Sequence, residues 1–280
     1  PTARLSFKGI GGAITRDARL PLVVELDDDH GVQSVEVLIL KSESPGPLRV
    51  SLEPPVALPG EATGGIDLLS LRSASAERRL VVEPGDRVKL TAAATDWYDL
   101  AERPPSESQP TVLEVVSPAE LLARLGDAQR ELRRSVDGLL ADTQRLEYEL
   151  DLERRRLDEV TEEASAETSA TDSAALERWA AERRLDARKA ADGVIEVAQR
   201  AEGLRRQAVN NRLDQPALVD RLATAVVGPL RRVVRRNLSS ARERLESLSD
   251  ANAADRIAKS TAEVARAAAA LERVAASLDS

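Results

Sequence analysis

There is no cysteine among these 280 residues. That excludes disulfides, thiol nucleophiles and zinc sites built on thiolates, and it leaves the redox compartment open. Methionine is also absent and the chain opens at Pro1, so a processed chain or an excised piece of a larger protein is expected. Aromatic residues are scarce: Phe7, Trp97, Tyr98, Tyr148 and Trp179. Sugar sites and single-stranded nucleic-acid sites need stacking platforms, and this sequence has almost none. No apolar run approaches the roughly 18–20 residues of a membrane span, and no signal-peptide pattern is present. A membrane connection would come only through segments outside this chain. The net charge of −8 argues against a general binder of nucleic acid or other polyanions. Of the 40 basic residues all but Lys8, Lys41, Lys89, Lys189 and Lys259 are Arg. With so much Ala, that skew reflects a GC-rich genome rather than a function.

What is present divides into two halves with different periods. Of the 14 prolines, only Pro118, Pro216 and Pro229 lie beyond Pro110. The first half carries short alternating or β-branched runs, which predict strands near Ala3–Phe7, Leu20–Leu26, Val32–Leu40, Leu48–Leu52, Arg79–Glu83, Val88–Thr95 and Thr111–Val116. Turn residues separate them: Asp29-His30-Gly31, Pro45-Gly46-Pro47, Pro59-Gly60 and Glu83-Pro84-Gly85-Asp86. This rhythm fits an immunoglobulin-like β-sandwich over residues 1–116.

The second half, 117–280, opens on Ser117-Pro118-Ala119-Glu120. Ser and Glu can satisfy each other's free N–H groups there, and Pro gives up none it needs. Beyond this cap, apolar residues recur at steps of four and three: Leu132, Val136, Leu139, Thr143, Leu146, Leu150, Glu153, Leu157, Val160 and Ala164. That stripe predicts a helix over 118–164 with one seam buried against a partner helix. Ser165–Ser173 reads as a hairpin tip, with Asp172 or Ser173 capping the next helix, 173–212. The seam of that helix runs Leu176, Ala180, Arg183, Ala187, Ala190, Val194, Val197, Ala201, Leu204, Ala208, with Trp179 packed beside it. Asn210–Gln215 reads as a short turn, and Pro216 opens a helix over 216–248 with a kink expected at Gly228-Pro229. Asp250 or Asn252 caps the last helix, 251–279, with the seam Ile257, Thr261, Val264, Ala268, Leu271, Ala275, Leu278. Short connections favour antiparallel neighbours. The expected fold class is therefore α+β and multidomain, a sandwich followed by a long antiparallel helical bundle or coiled coil.

Few groups carry chemistry. Asp27-Asp28-Asp29-His30-Gly31 lies between the second and third strands, at the end of a sandwich where Asp96 and Asp99 would also sit. Asp27, Asp28, Asp29, Asp96 and Asp99 together could hold Ca²⁺ through hard oxygen ligands. The same residues also suit a plain tight turn, for which Asp and Gly are favoured, and no spaced D-x-D-x-D loop is present. His30 is the only histidine, and no G-x-S-x-G nucleophile motif accompanies it. Gly11-Gly12 and Gly64-Gly65 lack the context of a phosphate loop and read as turns or bulges. Trp97-Tyr98 are expected to anchor the last loop of the sandwich to its core. Arg231, Arg232, Arg235 and Arg236 stack on one helix. They are expected to pair within the bundle with Asp137, Asp142, Asp192 and Glu196.

Leu22-Val23-Val24-Glu25-Leu26-Asp27-Asp28-Asp29-His30-Gly31-Val32 and Val35-Glu36-Val37 resemble a V-x-D-D-Y-G-hydrophobic hallmark. Glu83-Pro84-Gly85-Asp86-Arg87-Val88 with Ala93-Ala94-Thr95-Asp96 resembles its partner, L-x-P-G-D-x-hydrophobic … A-x-D. Ser117-Pro118-Ala119-Glu120-Leu121 resembles the S-P-x-E-hydrophobic entry into a helical region. In this order they resemble large membrane-anchored bacterial envelope proteins of the planctomycete type, in which immunoglobulin-like domains precede a coiled-coil region. His30 replaces the usual Tyr, and Trp97 stands where a small polar residue is common. The resemblance implies an extracytoplasmic envelope location and no reaction.

The expected function is accordingly non-catalytic: a structural and interaction module with protein partners on its helical surfaces, self-association among them. A nucleic-acid- or chromosome-associated coiled coil acting through Arg231–Arg236 is the alternative. A carboxylate enzyme using Asp27–Asp29 and Asp96 is the third reading.

Overall fold

The computed structural model describes residues 1–42, 46–75, 79–97, 104–163, 169–248 and 252–279. The fold is α+β, with strands in the first half and long helices in the second. The described strands are β1 (Thr2–Phe7), β2 (Ala13–Ile14), β3 (Arg19–Asp27), β4 (Val32–Lys41), β5 (Leu48–Leu52), β6 (Gly60–Asp67), β7 (Arg87–Asp96), β8 (Ser106–Glu107) and β9 (Thr111–Val115). A short helix, α1 (Leu68–Arg72), follows β6. One sheet has the order β1-β3-β6 and the other β2-β9-β7-β4-β5, with β8 paired to β7. β2 runs parallel to β9, and the remaining described pairings are antiparallel.

Alternation places the core. Leu20, Leu22, Val24 and Leu26 of β3 join Val35, Val37 and Ile39 of β4 and Leu90, Ala92 and Ala94 of β7 in a single buried cluster drawn from both sheets. Each large aliphatic side chain removed from water contributes about 1.5–3 kcal/mol.

Two sequence expectations fail here. Arg79–Glu83 forms no strand among its described residues. Leu80 and Val82 are buried as alternation demands, but the backbone bonds elsewhere: Leu80 N–H donates to the Leu71 carbonyl, and Val81 O accepts from Lys41 Nζ. Glu83 N–H donates to Asp86 Oδ2 at 2.7 Å, closing the Glu83–Asp86 turn. Gly64 and Gly65, expected in a turn or bulge, lie instead inside β6, opposite Leu22 and Pro21. The missing side chain at Gly64 has a use: a Cβ there would stand 2.5 Å from Leu52 Cδ2.

The helical half consists of α2 (Pro118–Glu163), α3 (Ser169–Asn210), a composite stretch from Pro216 to Glu246, and α7 (Ala253–Leu278). The 46 residues of α2 span about 69 Å. Ser117 caps it as expected, its Oγ accepting from Glu120 N–H at 3.1 Å. The Glu120 carboxylate turns to Arg124 at 2.6 Å, so only half of the capping box forms. α3 already begins at Ser169, which places Asp172 and Ser173 inside it rather than at its cap. Asn252 occupies the N-cap position of α7. Ala164, the 165–168 part of the expected tip, Asp250 and Tyr98 lie outside the described residues.

The predicted seams are the buried faces. Leu132, Val136, Thr143, Leu146 and Leu150 are buried on α2, as are Ala180, Ala187, Ala190, Val194, Val197 and Ala201 on α3. On α7 the buried set includes Ile257, Val264, Ala268, Leu271, Ala275 and Leu278. Leu146, Leu150, Ala187, Ala241, Leu245, Ile257 and Val264 form one apolar cluster drawn from all four helical stretches, with Trp179 packed against it. Pairing directions follow from individual contacts. Leu139 fills the space beside Gly193, and Glu149 pairs with Arg183. Asn237 bonds Glu263, and Ser260 bonds the Ala241 carbonyl. In each case one number rises as the other falls, so these neighbours run in opposite directions.

The composite stretch is where the expected kink at Gly228-Pro229 falls, and the chain does not break there. It runs as α4 (Pro216–Arg221), a π-helical turn (Leu222–Val227), α5 (Gly228–Arg232), a second π-helical turn (Val233–Leu238) and α6 (Ser239–Glu246). Gly228 keeps helical angles and donates its N–H to Ala223 O, five residues back. The wider turn accommodates Pro229, which has no N–H to give and would collide with an α-helical turn before it.

By internal contacts the chain forms two compact units, Pro1–Gly126 with Gly203–Pro216, and Asp127–Glu202 with Ala217–Ser280. The secondary structure changes from strand to helix at Ser117, but the first unit also includes the first turns of α2 and the end of α3.

Candidate functional site

In the first unit the acidic loop follows the exposed end of β3. Asp27 is the last residue of β3, and Asp28 and Asp29 follow it in the loop, all three lining one shallow cleft. Asp27 lies opposite Thr2 of β1. Asp28 turns inward, its Oδ2 accepting from His30 N–H at 3.1 Å. This bond is that of an Asx-turn.

The group whose ligand atoms converge is Asp28, Asp29 and His30, all within 4.8 Å of one another. Asp27 and Asp96 are not part of it, and Asp99 lies outside the described residues. Asp96 faces Val32 across the β4–β7 ladder, and Trp97 N–H donates to Gly31 O, so the two loop ends do meet as expected. Calcium needs six to eight oxygens. Here Asp28 Oδ2 is engaged by the His30 amide, and the third member offers nitrogen. Asp29 and His30 have side chains 90% and 57% exposed. A group so solvated lacks the dry pocket that prepares a catalytic acid or base. Trp97, expected to anchor the last loop to the core, is 62% exposed instead, its indole ring lying over Gly31.

The second unit holds a different kind of site. Arg231, Arg232, Arg235 and Arg236 do not meet the carboxylates expected for them. Asp137 pairs with Arg133, Asp192 with Arg188, and Glu196 with Arg200, while Asp142 lines a cleft between α2 and α3. These local i,i+4 pairings outcompete partners on another helix, because less side-chain order is lost in making them.

Three of these arginines, Arg231 excepted, line another groove, of about 860 Å³, between the composite stretch and α7. Arg232, Arg235 and Arg236 stand on one wall, Arg266 and Arg273 on the other, and Glu263 is the only carboxylate among the lining residues. Glu263 is already engaged: it accepts from Asn237 at 3.0 Å and from Arg266 at 2.7 Å, with Arg244 at 3.6 Å. Arg232, Arg235, Arg236 and Arg273 are exposed and make no ion pair with a described carboxylate. The floor is apolar, formed by buried Val233 and Val274 with half-buried Ala225, Pro229 and Ala270.

The second π-turn shapes this groove. Buried positions step from Val233 to Leu238, five residues instead of three or four. The extra residue leaves Arg235, Arg236 and Asn237 together on the open side. In the sequence Leu230, Val234, Leu238, Ala241 and Leu245 keep steps of four and three, so the π-turn, which buries Val233 in place of Val234, leaves no mark in the periodicity.

No protein-family description, curated protein or solved structure matches the chain significantly. Among the described residues no helix is long and apolar enough to cross a membrane.

Proposed function

We propose that this chain is a non-catalytic structural and interaction module of a larger bacterial envelope protein. In this reading the first unit is an immunoglobulin-like sandwich that links to neighbouring domains. The helices form an antiparallel bundle that acts as spacer and docking surface. The strand orders β1-β3-β6 and β2-β9-β7-β4-β5 around one core support the sandwich. The buried seams and opposed directions of the helices support the bundle.

The observation that carries the functional reading is the contrast between the two candidate places. The acidic loop spends its best-placed carboxylate on a turn, whereas the helical unit presents an open groove of unsatisfied donors. Removing the gene from the source organism and restoring it in variants tests this. A copy carrying Asp28→Asn, Asp29→Asn and His30→Ala should rescue fully, and a copy lacking residues 117–280 should not. Failure of a folded triple variant would move the carboxylate-enzyme reading from third place to first. Fractionation of the intact protein into the cytoplasm would remove the envelope assignment.

The Arg groove gives the nucleic-acid alternative its one favourable observation, since unpaired guanidinium groups suit phosphates. An acidic chain and a groove without aromatic residues weigh against it.

A further inference from the structure

We infer that the groove between the composite stretch and α7 is a docking site for an acidic, amphipathic segment of a partner protein. The inference rests on the interaction reading above and names the partner's chemistry.

Charge is the first reason. Five arginines face one carboxylate, and that carboxylate is held by Asn237 and Arg266. In a chain of net charge −8, leaving four of those arginines uncompensated concentrates positive potential in one place. The floor is the second reason. Val233, Val274 and Pro229 present apolar surface between the charged walls, so an occupant must bring apolar side chains as well as carboxylates. Duplex DNA offers phosphates but nothing for such a floor, and single strands would find no ring to stack on. Length is the third. The α7 wall from Glu263 to Val274 runs about 16 Å, or about three turns of a helix laid in the groove.

The π-turns supply the geometry. An α-helix from Val233 onward would place its apolar residues at steps of three and four, with fewer polar residues left on the groove side. π-turns are rare and frequently accompany binding sites. Two of them, Leu222–Val227 and Val233–Leu238, lie on the same wall.

The test uses the whole chain and a labelled synthetic peptide of roughly 15 residues, with Glu and Leu at helical spacing. Fluorescence anisotropy should show binding that weakens as salt rises. A variant carrying Arg232→Glu and Arg235→Glu should lose about tenfold or more in affinity, equivalent to about 1.4 kcal/mol. Arg200→Glu, a reversal on α3 away from the groove, should leave binding unchanged. Circular dichroism checks the fold, and the neutral pair Arg235→Gln, Arg236→Gln should give an intermediate loss.

Equal binding by a peptide of the same charge without Leu would overturn the amphipathic requirement. Tighter binding of duplex or single-stranded DNA would overturn the inference in favour of the nucleic-acid reading. Dimerisation abolished by the same reversals would assign the groove to a second copy of this chain. Peptide binding unaffected by any groove variant, or no binding at all, also sinks it. If only the peptide arm fails while the acidic-loop variant still rescues the deletion, the partner class falls and the interaction module stands.

Discussion

Thr15 donates two buried hydrogen bonds to Asn211, 196 residues away in sequence. Thr15 N–H donates to Asn211 Oδ1 at 2.7 Å, and the Thr15 hydroxyl donates to the Asn211 carbonyl at 2.8 Å. Asn211 sits just past α3, where Leu213 N–H bonds Ala208 O and Arg212 N–H bonds Val209 O, with Arg212 at φ 51°. That is a Schellman ending with Arg in the position usually held by Gly. Asn210 adds its amide to the Lys8 and Gly9 carbonyls. The end of α3 is thus stitched into the first unit by side chains that also terminate the helix.

Asn211→Ala should orphan the buried Thr15 N–H and lower stability by about 1–3 kcal/mol. Urea denaturation measures it. A change under about 0.5 kcal/mol, the range of an ordinary surface substitution, would show that the stitch carries no weight.

Arg212 also donates to Asp67 Oδ2 at 2.8 Å, while Asp67 Oδ1 caps α1 by accepting from Leu69 N–H at 3.1 Å. Burial raises the Asp67 pKa, but these bonds outweigh it and set the folded value below the ordinary 3.8. The sign follows. A carboxyl that holds its proton less tightly when folded adds stability above its unfolded pKa and loses it as pH falls through the lower folded value. Melting temperature should therefore decline below about pH 4, and Asp67→Asn should flatten part of that decline. An unchanged slope in the variant would show that Asp67 is not a source of the acid sensitivity.

The acidic loop gives a prediction of the opposite kind. With Asp28 bonded to the His30 amide and Asp29 and His30 exposed, millimolar Ca²⁺ should leave the melting temperature unchanged. A ligand bound only by the folded chain would raise it. A calcium-dependent rise that Asp28→Asn abolishes would reinstate the cation site.

Period was legible wherever one face is buried and the other is wet. The seams from Leu132 to Leu150 and from Ile257 to Leu278 were readable because a helix that buries one stripe repeats it at three and four. β6 was not, because its Gly64 and Gly65 are poor strand formers that serve Leu52 and the ladder to β3. Arg79–Glu83 misled because alternation reports burial of Leu80 and Val82, not a ladder partner. Pairing of the Arg patch was misjudged for a related reason. Three of its supposed partners, Asp137, Asp192 and Glu196, pair within their own helices, and one-dimensional charge counts do not say which opposite charge is nearer.

The π-turn at Val233–Leu238 connects sequence, packing and site, and one deletion addresses all three. A π-turn holds one residue more than the α-helical turn it replaces, and each residue of an α-helix turns the chain by about 100°. Removing Val234, which is half-buried, shortens the step from Val233 to Leu238 to four residues. An unbroken α-helix can then bury Val233 and the present Leu238 on the same face as the buried Ala241 and Leu245. The deletion should retain full helicity by circular dichroism and melt close to the native temperature, since the apolar seam is kept and the rarer hydrogen-bond pattern is lost. The groove should suffer. Arg235, Arg236 and Asn237 would be spread about 100° apart around the outer face of an α-helix, turned away from their present positions in the groove, and Asn237 would lose its 3.0 Å bond to Glu263. Acidic-peptide binding should fall by about tenfold or more with stability preserved. Loss of fold on deletion would show the π-turn to be required by packing alone. Intact binding with intact fold would show that it does not shape the site.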